Sequence, residues 1–329
     1  MGEEDRRDGR GEGGAGPGAR HRRERARRRL HAPGCCRGLR DAVPRAELGA
    51  VIGGGGEPAL GLVDAFVLGL VEGITEFLPV SSTGHLILAQ RLLGLPEGAA
   101  NNTFAVGIQT GAITAILALY GKRVWTAARV ALRPVGGDAN LLWQIALGAA
   151  PAALLGFVAD DWIDAHLFTP AVVAVAMVVG GALLLALDRW RARRGPGMEL
   201  PRLGYQRILC IGMFQCLALV PGASRSAATI AGALVVGATR TAAAEFSFLV
   251  GLPILYGAAL LKVAKNPAAL AGDALAPFLV GAAVAFASAL LVVAPFVRYL
   301  RSHGFAAFAW YRIAGGLVVA AACAAGYLT

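Results

Sequence analysis

The chain has 329 residues, 56% of them hydrophobic and 16% charged, with a formal net charge of +10 and a mean hydropathy of +0.59. That apolar share exceeds the roughly half-apolar makeup of soluble domains and predicts an all-α polytopic membrane protein. The positive charge does not point to nucleic acid, because the arginines crowd into residues 6–45 and into loops such as Arg189–Arg194, and basic cytoplasmic segments are ordinary in membrane proteins.

In chain order, residues 1–57 are rich in Gly, Arg, Ala and Glu, lack apolar periodicity and end in Gly53–Gly56. They read as a disordered tail that carries no part of the chemistry. The remainder, 58–329, reads as one membrane domain, in which six stretches are long and apolar enough to span: 103–120, 141–158, 169–187, 244–262, 275–295 and 309–328. Two further segments, 60–94 and 207–237, are apolar but broken in the middle by Pro followed by Gly, Ser and Thr. Non-helical backbone at membrane depth persists only where it is buried in protein or lines a wet cavity. Each is therefore predicted to be a re-entrant helical hairpin. Three cysteines, Cys210, Cys216 and Cys323, lie in apolar segments, and with the adjacent Cys35 and Cys36 they match no metal-ligand spacing.

The broken segments echo each other. Gly69-Leu-Val-Glu72 followed by Pro79 and a Ser run matches Gly212-Met-Phe-Gln215 followed by Pro221 and a Ser run, and each is followed by three spans. The pattern predicts an inverted repeat, halves about 60–187 and 207–328, with the site at the repeat interface. The loop with Lys122, Arg123, Arg129 and Arg133 and the loop from Arg189 to Arg207 are predicted to be cytoplasmic, with Asp160, Asp161 and Asp164 in a loop on the other side. One point stays open: a hairpin at 60–94 leaves the basic tail outside, whereas a full span at 60–79 puts it inside.

Both broken segments carry polar signatures. Glu72 and Glu76 are four residues apart and share a helical face, where two carboxylates repel unless something positive lies between them. A divalent cation, Mg²⁺ or Ca²⁺, is the natural occupant. Ser81, Ser82 and Thr83 follow Pro79 at an expected helix start, with His85 within one turn. Capping explains one hydroxyl, whereas three beside carboxylates suggest phosphate binding and a nucleophile with a base nearby. Ser82 is the expected nucleophile, although a metal-bound water would need the same surroundings. His85 is the expected general acid or base, or a ligand of the leaving phosphate. Arg225, between Ser224 and Ser226, needs an anion in its apolar run, and its fork fits two phosphate oxygens. Its alternative partner is Glu72, Glu76 or Glu245. Ser224, Ser226 and Thr229 are expected to cap the helix and complete the anion shell. Gln215 stands where the first half has Glu72, so the site is asymmetric.

The two signatures, Glu72-Gly-Ile-Thr-Glu76-Phe-Leu-Pro-Val-Ser-Ser-Thr-Gly-His85 and Pro221-Gly-Ala-Ser-Arg-Ser226, resemble those of the bacterial undecaprenyl-diphosphate phosphatase family, also called the bacitracin-resistance protein family. Gly212–Leu219 and Glu245–Leu249 are also familiar from it, and the resemblance runs from about Leu60 to the C-terminus. It implies that both glutamates belong to the active site and that a polyisoprenyl diphosphate is hydrolysed to the monophosphate and inorganic phosphate. It further implies recycling of the lipid carrier for cell-wall polymers, bacitracin tolerance, and the bacterial plasma membrane with the site opening to the outer face. A transporter or flippase for the lipid phosphate is the alternative, because inverted repeats with broken helices are transporter architecture. A histidine-nucleophile membrane phosphatase is disfavoured, since no histidine follows Arg225 until His303. A homo-oligomer is compatible with the sequence.

Overall fold

Ten α-helices organise the described part of the chain, and their lengths sort them into two kinds. The computed structural model describes residues 60–96, 98–131, 141–167, 169–195, 197–267 and 271–326. The predicted tail, 1–57, and Arg133 lie outside these residues. Six helices are long and apolar enough to cross a membrane: α3 (Ala99–Ala131), α4 (Leu141–His166), α5 (Pro170–Ala192), α8 (Arg240–Lys265), α9 (Leu275–Leu300) and α10 (Ala306–Ala324). The other four are short: α1 (Leu62–Thr75), α2 (Ser82–Leu92), α6 (Tyr205–Gln215) and α7 (Arg225–Val235). At 14 residues α1 is only about 21 Å long, less than the roughly 30 Å hydrocarbon core. It turns at Glu76 instead of crossing, which decides the point left open for 60–79 in favour of a hairpin.

Contacts give the two hairpins opposite directions. Gly69 and Gly73 of α1 press against the Gly281 and Ala285 carbonyls of α9, so closely that a Cβ on either glycine would run into them. This is the small-residue packing that lets helix backbones meet in lipid. Residue numbers rise together along α1 and α9, so the two run parallel. In the second half Gln144 Nε2 of α4 donates to the Leu203 carbonyl at 2.6 Å, Gln215 Nε2 of α6 donates to Gly148 O at 3.3 Å, and Leu219 packs beside Gly156. Thus α6 runs parallel to α4. Helix α4 starts on the face where α9 ends, so the hairpins enter from opposite sides. The pairings α1 with α9 and α3 with α9 recur as α6 with α4 and α8 with α4, which is the pattern of an inverted repeat.

Basic helix ends share one face. Asp188, near the end of α5, accepts Arg240 Nε of α8 at 2.7 Å and the Phe305 backbone N–H before α10 at 3.1 Å, and Arg123 near the end of α3 pairs with Glu245 at 2.8 Å. Asp160, Asp161 and Asp164 do not form a loop as expected. Helix α4 continues past its apolar span, Leu141–Ala159, to His166. A helix leaving the apolar zone keeps its own backbone bonds and needs no loop there. Asp161 then meets Lys265 at the end of α8 at 2.8 Å, marking the opposite face.

Candidate active site

The bends of the two hairpins meet, and both are built alike. Helix α1 ends with the Glu76 N–H on the Glu72 carbonyl at 2.9 Å, and the chain then bends through Pro79 to Ser81. Helix α6 continues into a short 3₁₀ turn, Cys216–Leu219, and bends through Pro221 and Gly222 to Ser224. Ser81 (φ 76°) and Ser224 (φ 69°) are the two non-glycine residues with positive φ among the described residues. Each caps the next helix, accepting from Gly84 N at 3.4 Å and from Ala227 N at 3.3 Å. A side-chain-bearing residue held in the left-handed region costs of order 1–3 kcal/mol and persists only where its surroundings dictate it. Ser226 Oγ supplies one such constraint by donating to Leu78 O of the first bend at 2.8 Å, and lies 3.0 Å from Ser224 Oγ.

Glu76 is the centre of the cluster. Its Oε1 accepts from Arg225 Nη2 at 2.9 Å and its Oε2 from Ser82 Oγ at 2.5 Å. The carboxylate and the guanidinium are 4% and 10% exposed, so solvent screens the pair little. Arg225 Nη1 also donates to the Ser247 carbonyl of α8 at 2.5 Å, with Ser247 Oγ at 3.4 Å. Its Nε is buried without a partner. The guanidinium fits because α8 has glycine one turn on: a Cβ on Gly251 would lie 2.7 Å from Nη1 and 2.9 Å from Cζ. Of the partners open to Arg225, the structure selects Glu76; Glu245 pairs with Arg123.

Glu72 is fully buried, and neither of its carboxylate oxygens has a hydrogen-bond partner. Its charged neighbours are Glu76 and Arg225. A bare buried carboxylate is costly, and the orphaned oxygens, one turn from Glu76, fit a hard divalent cation by donor chemistry. No group of three or more His, Cys, Asp or Glu side chains suited to a metal exists among the described residues. A cation there would complete its shell with phosphate oxygens and water, as Mg²⁺ does in phosphate sites.

Two expected site residues are placed elsewhere. The His85 Nδ1–H donates to the Ser81 carbonyl at 2.7 Å, since a carbonyl only accepts, and Nε2 lies 2.7 Å from Tyr311 Oη of α10. Both ring nitrogens are thus engaged away from Ser82, whose proton goes to Glu76. Thr229 is fully buried, donating to the Arg225 carbonyl at 2.8 Å, with Gln215 Oε1 at 3.2 Å. It braces α7 from within. Ser247, Gly251, Tyr311 and Arg312 were missed by sequence reasoning. The polar letters inside apolar spans were the available signal for three of them, while Gly251 carried none.

Glu76, Ser82, Thr83, Gln109, Gln215, Ser224 and Arg225 form the polar end of a cavity of about 610 Å³. Its walls are apolar: Ala152, Ala153, Gly156 and Phe157 from α4, and Pro253, Ile254, Leu260 and Leu261 from α8. Phe157 and Leu260 are 73% and 72% exposed. One chamber therefore joins a polar end holding Arg225 and Glu76 to an apolar corridor that reaches the exposed Phe157 and Leu260.

An undecaprenyl-diphosphatase of Sorangium cellulosum is 45% identical over 261 residues, 78% of this chain and 84% of the relative. An undecaprenyl-diphosphatase of Verminephrobacter eiseniae is 42% identical over 274 residues, 81% and 97%. Undecaprenyl-diphosphatase 1 of Chromobacterium violaceum is 42% identical over 258 residues, 78% and 95%. The family model described as bacitracin resistance protein BacA matches residues 65–318, a stretch holding both hairpins and all six spans up to the middle of α10. The chain belongs to the bacitracin resistance protein BacA family.

Proposed function

We propose that this multi-pass membrane protein hydrolyses undecaprenyl diphosphate to undecaprenyl phosphate and inorganic phosphate, returning the lipid carrier to cell-wall synthesis and conferring bacitracin resistance. The carrying observation is a cavity whose polar end holds Glu76, Ser82 and Arg225 and whose walls are apolar. An isoprenoid diphosphate needs both. Its tail stays in hydrocarbon between α4 and α8 while the headgroup reaches the two bends.

Arg225, which lines the cavity, holds non-bridging oxygens of the terminal phosphate through guanidinium N–H groups not spent on Glu76 and Ser247. Ser82 Oγ attacks the terminal phosphorus in line with the bridging oxygen, and Glu76 Oε2, at 2.5 Å, takes the hydroxyl proton. The bond from phosphorus to the bridging oxygen breaks, and undecaprenyl phosphate leaves. As it leaves, its former bridging oxygen takes that proton from Glu76, which is again a carboxylate. Water then attacks the phosphorylated Ser82, giving a proton to Glu76, which returns it to the departing Ser82 Oγ as phosphate is released. Glu72 and Glu76 would hold a divalent cation, Mg²⁺ or Ca²⁺, which when bound neutralises charge on the diphosphate. The fixed guanidinium and the two helix starts supply preorganised positive potential for the same charge.

The cavity reaches Lys262 and Ala264 of α8, next to the Lys265–Asp161 pair and away from the basic helix ends. By the positive-inside tendency this is the outer face. A transporter for lipid phosphates is the second reading, since the oppositely entering hairpins would also suit it. Purified protein in detergent with undecaprenyl diphosphate and Mg²⁺ separates the two. Stoichiometric phosphate release supports the phosphatase, and saturable binding without release supports the transporter.

A further inference from the structure

Arg312, in the middle of α10, is the largest fully buried side chain among the described residues. An arginine in an apolar span is expensive unless its donors are met, and no carboxylate among the described residues pairs with it. Its partners are carbonyls instead. Nε donates to Met177 O at 3.5 Å, and Nη2 donates to Ala176 O at 3.2 Å and to Gly222 O at 3.1 Å, while Nη1 is buried without a partner. Gly180 of α5 clears the way, since a Cβ there would run into Nη2. The guanidinium therefore crosses α5 to reach the bend two residues before Ser224.

The preceding residue does the same for the other bend. Tyr311 Oη meets His85 Nε2 at 2.7 Å, and the two rings are parallel within 6° at 5.6 Å between centroids. His85 Nδ1–H in turn holds the Ser81 carbonyl at 2.7 Å. Consecutive residues of one helix thus reach both bends, and those bends contain the two strained serines, Ser81 and Ser224.

We propose that Tyr311 and Arg312 are positioning residues of the diphosphate site, adjacent side chains of α10 that each hold one of the two serine bends so that Ser82 and Arg225 converge on Glu76. His85 acts here as the link between Tyr311 and the Ser81 bend. Neither Tyr311 nor Arg312 touches the Glu76 cluster itself, so each acts through the backbone that presents it. The proposal rests on the phosphatase reading for its kinetic consequence, but its structural consequence is separate.

The test uses the full-length protein in detergent and the variants Tyr311→Phe, Arg312→Lys and Gly180→Ala, the last displacing the guanidinium while leaving Arg312 in place. Hydrogen–deuterium exchange and undecaprenyl diphosphate turnover are both measured. Tyr311→Phe is expected to speed exchange in 79–85, and Arg312→Lys and Gly180→Ala to speed it in 220–226, with the spans unchanged. Turnover per folded protein is expected to fall on the order of ten- to a hundredfold in kcat, with KM within about threefold, because small misplacements of reacting groups act on kcat. Unchanged exchange in both bends overturns the proposal, as does selective loosening with wild-type kcat. Wild-type protein that releases no phosphate while the exchange pattern holds overturns the phosphatase reading and leaves the clamp standing.

Discussion

Ser82 and Arg225 are the first residues of the two returning half-helices, and they hold the two oxygens of one carboxylate, that of Glu76, from opposite hairpins. The repeat therefore creates the site only where its halves meet. Glu76→Gln removes the proton acceptor for Ser82 and the counter-charge of Arg225, and general-base losses run to roughly 10²–10⁴ in rate. Glu245→Gln removes only a partly exposed pair with Arg123, a type worth about 0–1 kcal/mol. Phosphate release should therefore fall by at least about a hundredfold in the first and stay near wild type in the second.

Gly251→Ala tests the seat of the guanidinium without touching a charged group. The new Cβ would lie 2.7 Å from Nη1 of an arginine already tied to Glu76 and Ser247, so Arg225 must shift. The variant should insert and melt close to wild type, yet lose on the order of tenfold or more in kcat, because reacting groups held slightly off their geometry lose rate first. Wild-type kcat would show that the site tolerates a displaced guanidinium.

The orphaned oxygens of Glu72 motivate a test of the proposed metal requirement. Excess chelator should abolish turnover, with Mg²⁺ or Ca²⁺ restoring it, and Glu72→Gln should raise the metal concentration needed for half-maximal activity. Full activity in chelator would remove the cation from the account.

Orientation can be read with thiols. In a cysteine-free background, a cysteine at Asp161 should react with a membrane-impermeant reagent on intact cells, and cysteines at Lys122 and Arg194 should not, because the basic helix ends share one face. The reverse labelling would invert the assignment of the cavity to the outer side.

Much of this was legible in the sequence because the membrane simplifies the code. A polar residue in an apolar run announces itself, so Glu72, Glu76, Ser82 and Arg225 stood out as candidates, and Pro79 and Pro221 marked the bends. The direction of side chains was not legible. His85 is one turn from Ser82 in sequence, yet its ring faces Tyr311, 226 residues away, and the Ser82 hydroxyl hydrogen-bonds Glu76 instead. Thr229 sits in the signature but faces inward to Gln215. Arg312 is as conspicuous a letter as Arg225, but its carbonyl partners carry no sequence signal. Gly251 shows its role only when a Cβ is imagined beside Arg225.

The most direct test of the central claim is turnover in Arg225→Lys, Arg225→Ala, and Arg225→Ala combined with Glu76→Gln, each normalised to folded protein. Lysine keeps the charge but loses the planar fork, and removing a preorganised donor to a developing anion typically costs on the order of a hundredfold or more. Both single variants should lose at least that much, and the double should be no faster than Arg225→Ala. If Arg225 and Glu76 were only a structural pair, removing both charges together would leave neither unpaired. Recovery of near-wild-type phosphate release in the double variant would contradict the account.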